Sequence, residues 1–253
     1  MKNLFDVSGK KAIVTGGSRG LGKGMAEGLM EHGCEVALIA STPQVRRVTQ
    51  DYAAMGYKCH GVQADLGKRR QVYGSFDQAL SHLGGDLDIL VTAAGIQRRY
   101  PAEDFPIEQW DEVLSVNLDA VFIQCQLAGK IMLKKGYGKI INIASMVSFF
   151  GGQTVAAYSA AKGAVAQMTK AMANDWASRG ININAIAPGY MDTQMIAGLK
   201  QDKKRMDYIT ARIPSNRWGT PQDMKGAVIF LSSQASDYVN GAIIPVDGGY
   251  LIR

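Results

Sequence analysis

The sequence has little of what marks a secreted, metal-binding or membrane protein. Its three cysteines, Cys34, Cys59 and Cys125, and its three histidines lack the spacings of a disulfide framework or a zinc site. It has no charge-free apolar run of about 18 residues, and its first residues hold no long apolar stretch that ends in small side chains. We therefore expect a cytoplasmic protein with no bound metal and no membrane segment.

Clustered positive charge is also missing. The net charge is +6, but lysines and arginines are scattered and do not alternate with aromatic residues, so we expect no nucleic-acid partner. A mild positive field also suits anionic cofactors and substrates. Hydrophobic residues make up 47% and charged residues 20%, a composition typical of globular rather than disordered proteins.

What is present is a regular alternation of two kinds of segment. Short apolar runs rich in β-branched residues, typical of buried strands, occur at residues 12–15, 36–40, 87–92, 139–144, 181–187 and 243–246. Helical stretches occur at residues 21–32, 45–55, 69–82, 110–134 and 156–178. The alternation, without a linker or an internal repeat, predicts one α/β domain over residues 1–253: a single doubly wound parallel sheet of about seven strands, flanked by helices.

The least regular stretch runs from residue 188 to about residue 218 and is rich in Met, Lys and Asp. Ligands of doubly wound sheets bind beyond the carboxyl ends of the strands, so a segment that follows a strand there is a natural lid. We expect a substrate lid around residues 190–215. A pair of surface helices is the alternative.

A glycine-rich segment, TGGSRGLG at residues 15–22, lies directly between the first predicted strand and the first predicted helix. Glycines permit a tight turn and a close approach of backbone N–H groups to a pyrophosphate, whose charge the helix N-terminus stabilises. The segment therefore predicts a dinucleotide site with contacts from Gly16, Ser18, Arg19, Gly20, Leu21 and Gly22.

The second predicted strand is followed by Ser41 and Thr42, where an NAD-selective site usually has a carboxylate for the adenosine ribose. Arg19, Ser41 and Thr42 suit a 2′-phosphate instead, because guanidinium and hydroxyl groups bind phosphate well. A merely solvated Arg19 is the alternative. The expected cofactor is NAD(H) or NADP(H), and the sequence leaves the choice open.

Tyr158 and Lys162 are spaced i and i+4 in a predicted helix, which puts them on one helical face. A phenol titrates near pH 10 and is a poor base at neutral pH, but a neighbouring ammonium favours the phenolate. Ser145 follows a predicted strand, where its hydroxyl suits a substrate oxygen on which charge develops. A Tyr/Lys pair alone is usually a surface pair; the ordered set of glycine loop, Asn117, Ser145, Tyr158 and Lys162 indicates a catalytic centre.

This ordered set resembles the classical short-chain dehydrogenase/reductase family along essentially the whole chain. Asn117, Ser145, Tyr158 and Lys162 fall on that family's catalytic tetrad. The resemblance implies a Rossmann fold and an NAD(P)-dependent oxidoreductase. It also implies that the tyrosine is the acid/base, that the serine orients substrate, that the lysine holds ribose and lowers the tyrosine pKa, and that the asparagine supports a proton-relay water.

The resemblance implies further cofactor contacts. Asp65 matches the family's adenine-contacting acid, and Thr193 lies in the stretch that contacts the nicotinamide carboxamide. At residues 92–95 the chain departs from the family, with Thr-Ala-Ala-Gly in place of Asn-Asn-Ala-Gly, so side-chain hydrogen bonds of the central sheet must be replaced or lost. The expected cofactor contacts beyond the glycine loop are Ser41, Asp65, Leu66, Ala94, Gly95, Tyr158, Lys162, Pro188, Gly189 and Thr193.

Several segments, among them residues 95–99, 143–149 and 235–241, resemble the family's sugar-acid dehydrogenases. Arg98 and Arg99 follow the fourth predicted strand, near the expected nicotinamide, where a guanidinium suits a substrate carboxylate. Contact with solvent or with another subunit is the alternative. The expected substrate is a keto-sugar acid, with contacts from Arg98, Arg99, Ser145, Met146, Gln153, Tyr158 and Tyr190.

Two other functions stay open. A 3-oxoacyl-carrier-protein reductase shares the glycine loop and the tetrad, and a non-catalytic nucleotide-sensing protein would share the fold. The intact tetrad argues against the sensor, which does not need it. The resemblance further implies a homotetramer, with the apolar helices at residues 110–134 and 156–178 packed against other copies; the residues alone do not decide between dimer and tetramer.

Overall fold

The computed structural model describes residues 3–194 and 203–252. These residues contain one sheet of seven parallel strands in the order β3-β2-β1-β4-β5-β6-β7, which confirms the predicted doubly wound α/β architecture. The strands are β1 (Lys11–Thr15), β2 (Glu35–Ala40), β3 (Cys59–Gln63), β4 (Ile89–Thr92), β5 (Gly138–Ile143), β6 (Ile181–Pro188) and β7 (Ile243–Val246).

Helices cover both faces of the sheet. In the described residues they are α1 (Gly20–Glu31), α2 (Gln44–Ala54), α3 (Arg69–His82), α4 (Ile107–Leu114), α5 (Ala120–Lys135), α6 (Ala156–Trp176), α7 (Lys203–Ala211) and α8 (Lys225–Ser232). Successive strand residues point to opposite faces. On β1, Ile13 therefore joins the core formed with α3, α5 and α6, and Val14 joins the core formed with α1, α2 and α8.

Several elements differ from the sequence expectations. The predicted helix at residues 110–134 is two helices, α4 and α5, joined by a π-helical turn at Ser115–Asp119 that buries Asn117 completely. Strand β3 was not predicted, because as an outer strand it buries Val62 but carries no continuous apolar run. Helix α8 was not predicted either.

The predicted lid, residues 190–215, is described in part, since residues 195–202 lie outside the described residues. The described part includes α7, which buries Ile209, and the lid stays a prediction. Within residues 3–194 and 203–252, no helix has the length and apolar character needed to cross a membrane. Over the same ranges, no three His, Cys, Asp or Glu side chains are grouped so that they would hold a metal ion.

A buried polar network joins β4, β5, α5 and α6. Asn142 is its centre: its Oδ1 accepts hydrogen bonds from Thr92 Oγ1 at 2.8 Å and from Cys125 Sγ at 3.3 Å, and its Nδ2 donates to Thr169 Oγ1 at 3.0 Å. All four side chains are buried. Thr92 stands where the family usually has its first asparagine and supplies a side-chain hydrogen bond there, whereas Ala93, in place of the second asparagine, has no side-chain donor or acceptor.

We expect Asn142→Leu to lower the free energy of unfolding by about 2–4 kcal/mol, because it leaves several buried polar groups without their partner. Thr92→Val removes one donor from the same network and is expected to cost about 1 kcal/mol. Urea unfolding of the two variants and the unmodified protein measures both effects. If Asn142→Leu lowers the free energy of unfolding no more than Thr92→Val does, the central role of Asn142 is contradicted.

Candidate active site

The predicted site residues gather at one edge of the sheet. Because all seven strands are parallel, their carboxyl ends share that edge, and the chain leaves each strand there. The glycine loop follows β1, Ser41 follows β2, and Asp65 and Leu66 follow β3. Beyond β1 on the other side lie Ala94 and Gly95 after β4, Ser145 and Met146 after β5, and Pro188, Gly189 and Thr193 at and after the end of β6.

The glycine loop is packed so tightly that two of its glycines have no room for a side chain. Gly16 has a φ of +67°, and a Cβ there would lie 2.8 Å from the backbone N of Ala94. A Cβ on Gly22 would collide with the carbonyl oxygen of Gly16. Arg19 caps α1 without a side-chain hydrogen bond to it, which leaves the first-turn N–H groups available to an anion.

The loops after β1, β4 and β6 are held beside one another. Thr15 Oγ1 accepts a hydrogen bond from the Ala94 N–H at 3.2 Å, and Arg19 Nη1 donates to Gln194 Oε1 at 3.3 Å. The strands β1 and β4 are neighbours in the sheet. The chain leads from β1 to β2 on one side of this pair and from β4 to β5 on the other side. The loops therefore border the crevice where doubly wound sheets bind nucleotides.

The expected adenosine end of this crevice has a polar atom without a partner. Thr42 Oγ1 is buried and has no hydrogen-bond partner among the described residues. Ser41 is exposed beside it, and Asp65 is paired with Lys68 at 3.6 Å. Since a buried hydroxyl without a partner is unfavourable, a ligand atom that bonds Thr42 would be stabilising there.

Ser145, Tyr158 and Lys162 converge where β5 ends against α6. The hydroxyl of Ser145 lies close enough to the Tyr158 phenol to lower the pKa of Tyr158. Lys162 is 3% exposed; its Nζ donates to the carbonyl of Ile143 at 2.6 Å and lies 5.7 Å from the centroid of the Tyr158 ring. The structure thus brings together three of the four predicted catalytic side chains.

Burial dominates the ionisation of this group. Desolvation raises the pKa of Tyr158, and the hydrogen bond with Ser145 lowers it. Burial lowers the pKa of Lys162 to about 8. In this structure the interaction that favours the Tyr158 phenolate is therefore the Ser145 hydrogen bond, whereas the resemblance assigns that effect to Lys162.

Asn117, the fourth predicted catalytic residue, is bonded to the loop after β4. Its Nδ2 donates to the carbonyl of Ile96 at 2.8 Å, and its Oδ1 accepts from the Ile96 N–H at 2.9 Å. A Cβ on Gly95 would come within 3.2 Å of the same Oδ1. The Asn117 side chain therefore fixes residues 95–96, and the π-helical turn directs it inward.

Arg98 and Arg99 have different environments. Arg98 Nη2 donates to Glu112 Oε1 at 2.8 Å, so an ion pair on α4 occupies its guanidinium. Arg99 Nη1 lies 3.5 Å from Thr154 Oγ1. Desolvation lowers the pKa of Arg99, and the positive charge of the nearby Arg205 lowers it further. Of the two predicted carboxylate contacts, Arg98 is thus held by an acid of α4, whereas Arg99 is exposed beside Thr154.

Aromatic side chains border the end of the crevice beyond β6. The ring of Tyr190 lies 5.3 Å from that of Trp218 and 5.2 Å from that of Tyr250. Met146 is buried in the same cluster, whereas Gln153 is exposed on the loop before α6. Sequence reasoning missed Trp218 and Tyr250 as neighbours of Tyr190, because nothing in their spacing links them.

A family model described as "Enoyl-(Acyl carrier protein) reductase" matches residues 16–251. Together with the relatives below, this match shows that the chain belongs to the short-chain dehydrogenase/reductase family, and the resemblance predicted from the sequence is confirmed. The chain is 45% identical over 253 residues to the 2-dehydro-3-deoxy-D-gluconate 5-dehydrogenase of Bacillus subtilis (strain 168), covering 100% of this chain and 99% of that protein.

The chain is also 40% identical over 258 residues to the gluconate 5-dehydrogenase of Gluconobacter oxydans (strain 621H), and the match covers 99% of this chain and 98% of that protein. A crystal structure of a gluconate 5-dehydrogenase from Burkholderia cenocepacia J2315, in complex with NADP and tartrate, is similar with a TM-score of 0.94. The Burkholderia chain is 38% identical to this chain, and the match covers 99% of this chain and 98% of the Burkholderia chain. The predicted fold and enzyme class agree with these relatives.

Proposed function

We propose that the chain interconverts a ketone and a secondary alcohol on a sugar acid, as a 2-dehydro-3-deoxy-D-gluconate 5-dehydrogenase. The observation that carries the proposal is the contact of the Arg99 guanidinium with Thr154, on the loop that leads into α6, the helix of Tyr158. The backbone N–H of Tyr100, next to Arg99, bonds the carbonyl of Thr154 at 3.0 Å, four residues before Tyr158. The full-length identity of 45% to a relative of that name supports the substrate.

A nicotinamide cofactor fits the residues present, because Gly16 and Gly22 leave no room for side chains, the first turn of α1 is available to an anion, and Thr42 has a buried hydroxyl without a partner among the described residues. When bound, this cofactor donates or accepts the hydride. Its pyrophosphate would be held by Gly16, Ser18, Gly20, Leu21 and Gly22, its adenosine by Arg19, Ser41, Asp65 and Leu66, and its nicotinamide half by Ala94, Gly95, Tyr158, Lys162, Pro188, Gly189 and Thr193.

The protein's own residues then orient the substrate and move one proton. Ser145 Oγ hydrogen-bonds the substrate oxygen and orients it toward Tyr158. During reduction the Tyr158 phenol gives its proton to that oxygen, and during oxidation the phenolate takes the proton of the alcohol. Lys162, with its Nζ 5.7 Å from the Tyr158 ring centroid, is proposed to hold the ribose of the cofactor. Met146, Gln153 and Tyr190 are proposed to border the sugar chain.

Turnover of keto-sugar acids compared with a 3-oxoacyl thioester tests this proposal. Gluconate 5-dehydrogenase is the second candidate, supported by the Gluconobacter and Burkholderia relatives. Turnover of the thioester alone would favour an acyl-carrier-protein substrate of the kind that the family model's description names. Nucleotide binding without turnover of either substrate class would favour the nucleotide-sensing function.

We further propose a preference for NADP(H), because Arg19 and Thr42 lie where a 2′-phosphate would be bound. Arg19→Ala is expected to raise the KM for NADPH by about 10- to 100-fold, the equivalent of one charge-assisted hydrogen bond, and to change the KM for NADH by about twofold or less. Steady-state kinetics with each cofactor measure this. Arg179→Ala, at an exposed arginine before β6 on the opposite edge of the sheet, is the matched control. An equal rise in the KM for NADPH and the KM for NADH in Arg19→Ala would contradict the assignment of Arg19 to the 2′-phosphate.

We also propose that residues 1–253 act as one catalytic domain with a lid at residues 190–215, and that the chain is a cytoplasmic homotetramer. Phe122 on α5 is 44% exposed, which favours contact between copies along that helix. The three cysteines are free thiols, which suits a reducing compartment. Sedimentation equilibrium distinguishes the tetramer from the dimer.

A further inference from the structure

Ser148, which the sequence analysis did not single out, bridges two parts of the catalytic group. Its Oγ accepts a hydrogen bond from the Ser145 N–H at 3.2 Å and donates one to the carbonyl oxygen of Lys162 at 2.7 Å. In the reverse direction, Ser145 Oγ accepts from the Val147 N–H at 3.3 Å, which closes a capping box around the short helical turn Met146–Ser148. The Ser148 hydroxyl thus joins the main chain of Ser145, on the loop after β5, to the main chain of Lys162, on α6.

A second bond spans the same gap. Lys162 Nζ donates to the carbonyl of Ile143, the last residue of β5, at 2.6 Å. Residues 143–148, which contain Ser145, are therefore tied to the same turn of α6 at both ends. Tyr158 lies one helical turn before Lys162 on α6, so these two bonds also set how Ser145 meets Tyr158.

We propose that Ser148 is a positioning residue for this reaction: its hydroxyl holds Ser145 at a fixed place on α6, so that the Ser145 hydroxyl meets the Tyr158 phenol. The inference rests on the function proposed above. Ser148 acts through Ser145 and Lys162, whose main chains it binds. Small displacements of reacting groups reduce rates steeply, because catalysis depends on their mutual orientation.

The first test is kinetic. Ser148→Ala is expected to lower kcat by about 10- to 100-fold and to leave the Kd for the cofactor unchanged. Ser148→Thr keeps the hydroxyl and is expected to restore most of kcat. Ser75→Ala is the matched control, because the hydroxyl of the buried Ser75 on α3, like that of the half-buried Ser148, donates to a backbone carbonyl, here that of Val72 at 3.2 Å. It is expected to lower stability without changing kcat.

The second test needs no substrate. The hydrogen bond with Ser145 lowers the pKa of Tyr158, and Lys162 is the charged group on α6 beside the ring, so a displaced Ser145 should let that pKa rise. We expect a rise of about half a unit to one unit in Ser148→Ala and none in Ser75→Ala. The measurement is ultraviolet titration after a rapid pH jump, as the difference between each protein and the same protein carrying Tyr158→Phe.

Either of two results would overturn the inference: Ser148→Ala with unchanged titration and kcat, or Ser148→Thr as impaired as Ser148→Ala. A merely structural role for Ser148 would lower the melting temperature, as in Ser75→Ala, without moving the titration. Absence of turnover of keto-sugar acids by the unmodified protein would instead count against the proposed function. The titration would still decide the role of Ser148 in that case.

Discussion

Tyr158→Phe is expected to lower kcat for reduction of a keto-sugar acid by about 10³-fold, within the range that a general acid contributes. The substitution removes the phenolic proton and keeps the ring, so the Kd for NADPH should stay within about twofold of its original value. Stopped-flow measurement of NADPH oxidation, together with fluorescence titration of NADPH binding, separates the two effects.

The matched control is Tyr52→Phe, which removes the hydroxyl of a buried tyrosine that donates to Glu27 at 2.7 Å, between α1 and α2. It should leave kcat unchanged. In the oxidation direction the phenolate is the base, and burial raises the pKa of Tyr158. The rate of the unmodified enzyme should therefore rise with pH into the alkaline range, and this rise should vanish in Tyr158→Phe. Near-normal turnover by that variant would contradict the mechanism.

Arg99→Ala is expected to raise the KM for a keto-sugar acid by about 10- to 100-fold, because hydrogen bonds to a charged group contribute about 1.5–3 kcal/mol. The KM for a neutral ketohexose of the same chain length should change by about twofold or less. The ratio of the two effects measures carboxylate recognition alone, since a general disturbance of the crevice would weaken both substrates.

Arg98→Ala is the matched control for this experiment. Its guanidinium is paired with Glu112, so its removal should lower stability slightly and leave the ratio of acid to neutral substrate unchanged. An equal rise in the KM for the keto-sugar acid and for the neutral ketohexose in Arg99→Ala would contradict the assignment of Arg99 to the substrate carboxylate. A selective effect in Arg98→Ala and none in Arg99→Ala would transfer the carboxylate contact to Arg98.

Much of the fold could be predicted because buried parallel strands carry an unmistakable apolar run. β1, β2 and β7 were predicted to within one residue, and α3 at its bounds. β3 was missed because, with the sequence CHGVQ, it has one fully buried side chain and no such run. The π-helical turn was missed because helical periodicity continues through it, and the inward turn of Asn117 depends on its bonds to Ile96.

The site was predictable where residues are close in sequence or fall on a known motif. The glycine loop and the Tyr158 and Lys162 pair are of this kind. The bonds among distant segments were not, since no spacing shows that Asn142 meets Thr92 and Thr169, or that Ser148 meets Lys162. Nor could sequence separate Arg98 from Arg99, because the difference lies in Glu112, fourteen residues further along the chain.

The central claim is tested most directly by following NADPH oxidation by the purified protein with a 5-keto-sugar acid, the neutral ketohexose of the same length and a 3-oxoacyl thioester. We predict rapid turnover of the keto-sugar acid, a much higher KM for the ketohexose and no turnover of the thioester. Turnover of the thioester with none of the keto-sugar acid would contradict the proposed function.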